Sequence, residues 1–122
     1  METRATCLNC MDGRVQLPVI TWIKAHYAVD YVDVITETGM DGVLAKQEDI
    51  SEVLRSIKVS VNLNHSTRLF VVGHYDCRGN PVDEKSHREE IAESVKRLKP
   101  LWPAQEIFGL WVNSKWQVEI IC

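Results

Sequence analysis

Three residues with metal-binding side chains follow two apolar runs of this sequence. Cys10 ends the run ATCLNC, and His74 and Cys77 follow the run RLFVV, within the segment GHYDCRGNP. Two thiolates and one imidazole suit zinc, which takes sulfur and nitrogen ligands in a tetrahedral arrangement. Three protein ligands leave a fourth position, which in zinc enzymes holds a water whose pKa falls to about 7. The sequence therefore predicts a zinc site that can activate water.

An acidic and a basic residue lie close to the first of these ligands. Asp12 comes two residues after Cys10, within reach of the metal or of a water on it, and Arg14 comes two residues later. The Arg14 guanidinium can hold the Asp12 carboxylate as a bidentate partner. If Asp12 binds the metal, the site is closed. If Arg14 holds Asp12, the fourth position is open to water, and the sequence leaves both arrangements possible.

A parallel sheet would bring these loops together. Apolar runs at 5–10, 31–36, 68–72 and 107–112 predict strands, and the segments between them predict helices. We predict a single α/β domain over residues 1–122, with a mostly parallel four-stranded sheet in the order 2-1-3-4 flanked by helices. A C-terminal antiparallel hairpin strand closes it. In this order the loops after strands one and three open into one crevice, where such sheets bind ligands.

The helices are predicted from apolar periodicity. A helix over 16–29 has Leu17, Ile20, Ile23 or Lys24, and Tyr27 at helical spacing. A helix over 48–63 has one apolar face, formed by Ile50, Val53, Leu54, Ile57 and Val61. A third helix, capped by Asp83, has Ile91, Val95 and Leu98 on its inner face. Residues 37–42, with two glycines, are predicted to form a loop.

Composition excludes several classes of function. The net charge is −3, and no basic cluster is long enough to bind nucleic acid. No apolar run reaches the roughly 20 residues of a membrane span, and the first residues do not resemble a signal peptide. We therefore expect a cytoplasmic protein, where thiols beside a histidine are more often metal-binding or catalytic than disulfide-bonded.

The two motifs resemble those of the β-class carbonic anhydrases. Cys10-Met-Asp12-Gly-Arg14 matches the pattern C-x-D-x-R, and His74-Tyr-Asp-Cys77 matches H-x-x-C. The resemblance implies that Cys10, His74 and Cys77 bind Zn²⁺ and that the Asp12–Arg14 pair orients a zinc-bound hydroxide. It also implies reversible hydration of carbon dioxide to bicarbonate, in a homodimer or larger homo-oligomer with the site near the subunit boundary.

The chain departs from the family pattern in three places. Arg78 follows Cys77 where the family usually has glycine, and TETGMDG replaces a loop that commonly carries an arginine and an Asn-Ala-Gly run. The N-terminal helical arm that embraces the partner has no counterpart. The chain therefore resembles a minimal or divergent member. Two alternatives follow: a non-catalytic zinc-binding domain, and a hydrolase of a related small molecule such as carbonyl sulfide or carbon disulfide.

The remaining cysteines have competing interpretations. Cys7 could join Cys10, His74 and Cys77 in a closed structural site, but residues 7 and 10 of one strand point to opposite faces, which favours Cys7 as a small buried side chain. Cys10 as a redox or phosphatase-type nucleophile would leave His74 and Cys77 unexplained. Cys122 is interpreted as incidental.

The other histidines and Asp76 are assigned minor roles. His26, His65 and His87 are interpreted as surface or capping residues, with a proton shuttle left open. Asp76 is either an acceptor for a ligand side chain or a simple loop residue. The tryptophans are interpreted as core or interface residues.

Overall fold

A five-stranded sheet forms the centre of the protein. The computed structural model describes residues 2–122, and its strand order is β2-β1-β3-β4-β5. The first four strands run parallel, and β5 pairs antiparallel with β4. The strands are β1 (Arg4–Cys10), β2 (Tyr31–Glu37), β3 (Arg68–His74), β4 (Glu106–Val112) and β5 (Val118–Ile120). The predicted order 2-1-3-4 and the closing hairpin are confirmed.

Helices cover both faces of the sheet. They are α1 (Gln16–Tyr27), α2 (Met40–Lys46), α3 (Ser51–Lys58), which continues into a π-helical segment at Val59–Leu63, and α4 (Glu84–Leu98). Val19 and Ile23 of α1 belong to one hydrophobic cluster, with Phe70 of β3. Side chains of α2, α3 and α4 form the cluster on the opposite face. Each side of the sheet therefore has its own apolar core, as both-sided burial of parallel strands requires.

The predicted helix faces agree with the structure in two of three cases. In α4, Ile91, Val95 and Leu98 are buried, and the Asp83 side chain accepts a hydrogen bond from the Ser86 amide at 2.8 Å. The predicted face over residues 48–63 is likewise buried or partly buried and packs in the core. Both predictions are confirmed because these helices are clearly amphipathic.

The predicted apolar positions of α1 were partly wrong, since Ile23 is buried but Leu17 is not. Leu17 is 74% exposed, whereas Val15, Val19 and Ile23 are fully buried. A short 3-10 turn at Gly13–Val15 precedes α1, so the buried positions recur every four residues from Val15. The predicted loop over 37–42 was also partly wrong, because α2 begins at Met40.

The fold places two strand ends side by side. β1 pairs directly with β3, so their carboxyl ends open at the same edge of the sheet. Within residues 2–122, none of the helices combines the length and apolar character that crossing a membrane requires.

Candidate metal centre

Three potential metal ligands converge at this edge of the sheet. Cys10 ends β1, His74 ends β3 and Cys77 lies in the loop after β3. One ligand atom from each lies within 4.8 Å of the others, and all three residues are buried. The two motifs, far apart in sequence, thus meet at one point as the strand order predicts.

The two thiols lie at a distance that suits a shared metal. Their Sγ atoms are 3.9 Å apart. A tetrahedral zinc ion with Zn–S bonds of roughly 2.3 Å would separate its sulfur ligands by about 3.8 Å. A disulfide would require about 2.05 Å, and both cysteines are free. The spacing therefore fits zinc and not a disulfide.

Cys10 is the thiol that ionises first. The hydrogen bond with Cys77 is the main cause that lowers the pKa of Cys10 to about 4, against burial, which raises it. The Gly39 amide also donates to the Cys10 sulfur, at 3.4 Å. The same hydrogen bond and burial raise the pKa of Cys77. A cation would stabilise both sulfurs as thiolates, which is the form that binds metals.

His74 presents one nitrogen to the thiols. Its Nδ1 donates to the Tyr75 carbonyl oxygen at 2.7 Å. Within residues 2–122, its buried Nε2 finds no hydrogen-bond partner. Metal-binding histidines commonly donate one ring nitrogen to a carbonyl and bind the metal through the other. The unpartnered Nε2 and the two soft sulfur donors therefore fit a zinc ion.

Asp12 and Arg14 form a tight ion pair beside the thiols. Arg14 Nη2 donates to Asp12 Oδ2 at 2.7 Å, and Nε donates to both Asp12 oxygens at 3.2 Å. These hydrogen bonds are the main reason that the pKa of Asp12 falls to about 2. Asp12 is therefore ionised at neutral pH and can only accept hydrogen bonds. The structure thus has the arrangement in which Arg14 holds Asp12.

Two further residues restrain Arg14. Asp76 accepts from Arg14 through its carboxylate at 3.2 Å and through its backbone carbonyl at 3.1 Å. The Arg14 guanidinium also lies over the Trp116 ring, 4.8 Å from its centroid. Trp116 adopts φ 59° in the turn between β4 and β5, a left-handed conformation that is uncommon for tryptophan. Sequence reasoning assigned Trp116 only to the core or an interface.

Cys7 lies outside the group of three ligands. It is fully buried in the apolar cluster beneath α1, and burial raises its pKa to about 12. Cys122 is exposed. His26 and His65 are exposed too, and His26 Nδ1 hydrogen-bonds with the Trp22 carbonyl of its own helix.

The surface assignment of His87 was wrong. This residue is only 1% exposed, and its Nδ1 hydrogen-bonds with Asp41 of α2. Its position four residues before Ile91 and eight before Val95 puts it on the inner face of α4, a signal that the surrounding charges concealed. Asp41, His87 and Glu90 form a second group whose ligand atoms lie within 4.8 Å of one another.

One comparison with known proteins identifies a family. The family model described as "Putative carbonic anhydrase" matches residues 1–122. Among curated proteins, none matches the chain by sequence.

Solved structures share the fold. A tetrameric β-carbonic anhydrase from Sordaria macrospora superimposes with a TM-score of 0.69 at 12% identity, covering 99% of this chain and 82% of that one. A carbonic anhydrase from Streptococcus mutans has a TM-score of 0.69 at 17% identity, covering 100% and 86%. A β-carbonic anhydrase from Trichomonas vaginalis has a TM-score of 0.67 at 18% identity, covering 98% and 83%. At these identities the likeness is one of fold.

Proposed function

Because this chain belongs to the carbonic anhydrase family, we propose that it reversibly hydrates carbon dioxide to bicarbonate with the help of zinc. The observation that carries the proposal is the buried group of Cys10, His74 and Cys77 with an Asp12–Arg14 ion pair beside it. The unusual segment at 37–42 and Arg78 lie around this group and do not interrupt it.

Cys10, His74 and Cys77 would hold the metal through two sulfurs and His74 Nε2. A zinc ion there would lower the pKa of bound water and so supply a nucleophile near neutral pH. The three residues are between 1% and 5% exposed, so little bulk water reaches them within this chain. Low local polarity strengthens every charge interaction at the site.

Asp12 would fix the orientation of the attacking oxygen. As an ionised carboxylate, Asp12 accepts hydrogen bonds and donates none. Arg14 holds both carboxylate oxygens, so the direction in which Asp12 accepts is set before substrate arrives. Such prior positioning is a large part of the rate gain in enzymes.

The surroundings suit an uncharged substrate. Cys10 and Cys77 share a hydrophobic cluster with Val15, Leu110 and Val112. Carbon dioxide has no net charge and loses little by entering such a place, whereas bicarbonate is an anion and leaves it more readily. Arg14 is already occupied by Asp12 and Asp76.

Assembly and location follow from the same premise. We propose a homodimer or larger homo-oligomer, since the related structure from Sordaria macrospora is described as tetrameric; light scattering after gel filtration tests this.

We also propose a cytoplasmic location, because all four cysteines are free thiols in the structure, as a reducing compartment favours.

The test combines zinc content with carbon dioxide hydration. The wild type should bind one zinc per chain and be active, and Cys10→Ser should lose zinc and activity together. Cys7→Ala is the matched control, since it alters a buried cysteine of the same strand outside the group. Stoichiometric zinc in Cys10→Ser would rule out this site. Lost zinc in Cys7→Ala would instead favour the closed four-ligand site.

A further inference from the structure

A polar network, buried apart from the Lys46 side chain, lies beside the metal centre and takes no part in the proposed chemistry. Its members come from α2, from α4 and from the loop between β3 and α4; they are Asp41, Lys46, Asn80, His87 and Glu90. Asn80 is 5% exposed, and Asp41 and His87 are each 1% exposed. Burying such groups is costly unless they are hydrogen-bonded, so the network needs a reason to exist.

Asn80 stands at the centre of this network. Its Nδ2 donates to Glu90 Oε2 at 2.6 Å and to Asp41 Oδ1 at 3.2 Å. Its Oδ1 accepts from Lys46 Nζ at 3.0 Å. The Asn80 side chain thus donates both Nδ2 hydrogens and accepts one hydrogen bond at Oδ1. Only an amide side chain can donate two hydrogen bonds and accept one in this way. Lys46 also pairs with Glu90, at 3.0 Å, so the two carboxylates already have partners. We call this network a clamp, because its hydrogen bonds join α2, α4 and the loop between β3 and α4.

Glycines make room for the Asn80 side chain. A Cβ added to Gly39 would lie 2.7 Å from Asn80 Cβ, and one added to Gly42 would lie 2.7 Å from its Nδ2. Gly39 also has φ +64°, which favours glycine. Asn80 thus packs directly against the two glycines of the segment TETGMDG, where any side chain would clash with it.

The clamp is connected to both thiols of the metal centre. The Gly39 amide donates to Cys10 Sγ at 3.4 Å. On the other side, the backbone N–H of Asn80 donates to the Cys77 carbonyl oxygen at 3.3 Å. Asn80 therefore contacts the segment that fixes each thiol while touching neither sulfur.

We propose that Asn80 is a positioning residue that locks the Cys77 loop onto the segment Thr38–Gly42 and so fixes the spacing of the two sulfurs. This inference rests on the proposed zinc site at Cys10, His74 and Cys77. It assigns a role to the segment in which the chain departs from the family pattern. Loss of a residue that orients metal ligands typically weakens metal affinity by roughly 10- to 100-fold.

The experiment measures zinc affinity by competition with a chromogenic chelator. Asn80→Ala should weaken zinc binding at least tenfold relative to the wild type. Gly42→Ala is a second variant, because its new methyl group would push the Asn80 side-chain amide out of position without removing it. Alanine also suits the helix, and this variant should weaken zinc binding as Asn80→Ala does. Co²⁺ bound to either variant should show altered thiolate charge-transfer absorption.

Asn64→Ala is the matched control. Asn64 donates to Asp33 Oδ2 at 3.0 Å. It lies just before the start of β3, whereas His74 lies at the other end of that strand. This variant should keep wild-type zinc affinity. Zinc affinity within twofold of the wild type in folded Asn80→Ala, or equal weakening in Asn64→Ala, would overturn the inference. Two zinc ions per wild-type chain would also overturn it, by making the network a metal site.

The outcome separates this inference from the proposed function. A wild type that binds zinc without hydrating carbon dioxide would refute the activity and leave the role of Asn80 to be decided by the affinities. A wild type that binds no zinc would overturn both.

Discussion

Replacing Arg14 with lysine keeps the positive charge at position 14 but removes the geometry that positions Asp12. Arg14 grips both Asp12 oxygens through Nε and Nη2, and it reaches Asp76 with the rest of its guanidinium. Lysine keeps the positive charge but offers one nitrogen, which cannot form the planar fork. The Asp12 carboxylate would then be free to rotate.

The size of the effect follows from the geometry. Without the fork, the pKa of Asp12 rises from about 2 towards its ordinary value of 3.8. Asp12 stays ionised at neutral pH in either case, so the loss is one of orientation. A displacement on the order of 1 Å near the reacting atoms costs about 10²-fold in rate. We therefore expect kcat to fall about 100-fold in Arg14→Lys, with the shape of the pH profile above about pH 5 unchanged.

Stopped-flow hydration of carbon dioxide, with zinc content measured on the same samples, checks this prediction. Arg68→Lys is the matched control, because Arg68 also pairs with a carboxylate, Glu106 at 3.0 Å, and lies over an aromatic ring, that of Tyr27. It starts β3, at the end of the strand away from His74, and its replacement should leave kcat unchanged. Wild-type kcat in zinc-loaded Arg14→Lys would refute the reasoning.

Three further changes test the site and the fold. Trp116→Ala removes the ring under Arg14 and should lower kcat a few-fold at full zinc occupancy, with Trp116→Phe recovering most of it; equal loss in both would exclude stacking as the cause. Burial raises the pKa of Asp33, but the hydrogen bonds it accepts outweigh burial and lower it; their donors are Asn64, Ser60 and Arg4. A lowered folded-state pKa gives stability that is present above the ordinary value of 3.8 and is lost as the pH falls through the folded value. The melting temperature of Asp33→Asn should therefore lie below that of the wild type at pH 7, with a gap that narrows towards pH 2.5, and a constant gap would contradict this. Phe70→Ala empties the centre of the core beneath α1 and should lower the free energy of unfolding by about 3–5 kcal/mol in urea titrations; a loss below about 1 kcal/mol would show that the core collapses around the gap.

The sheet and the convergence of Cys10, His74 and Cys77 could be predicted because their signals are local. Each core strand is an apolar run, and the helices at 48–63 and in α4 show clear periodicity. Once β1 and β3 are neighbours, parallel strands must open at one edge, which brings Cys10 and His74 together.

The errors arose where a residue's environment is set by distant parts of the chain. α2 has only seven residues, and its second and third are Asp41 and Gly42, so its composition resembles that of a loop. It forms a helix because it packs against α4. His87 is buried because its partner Asp41 lies 46 positions away. No sequence pattern around Asn80 indicates that it bridges α2 and α4. Its partners Asp41 and Glu90 come close to it only when the chain folds.

The proposed water-activating zinc site is tested most directly by the pH dependence of carbon dioxide hydration. Stopped-flow measurements on protein with one zinc per chain should span neutral to alkaline pH. We predict activity that rises with pH as water at the site loses its proton, and that is absent from Cys10→Ser. No activity at any pH, with zinc fully bound, would contradict the account and leave the chain with the fold of the family but another function.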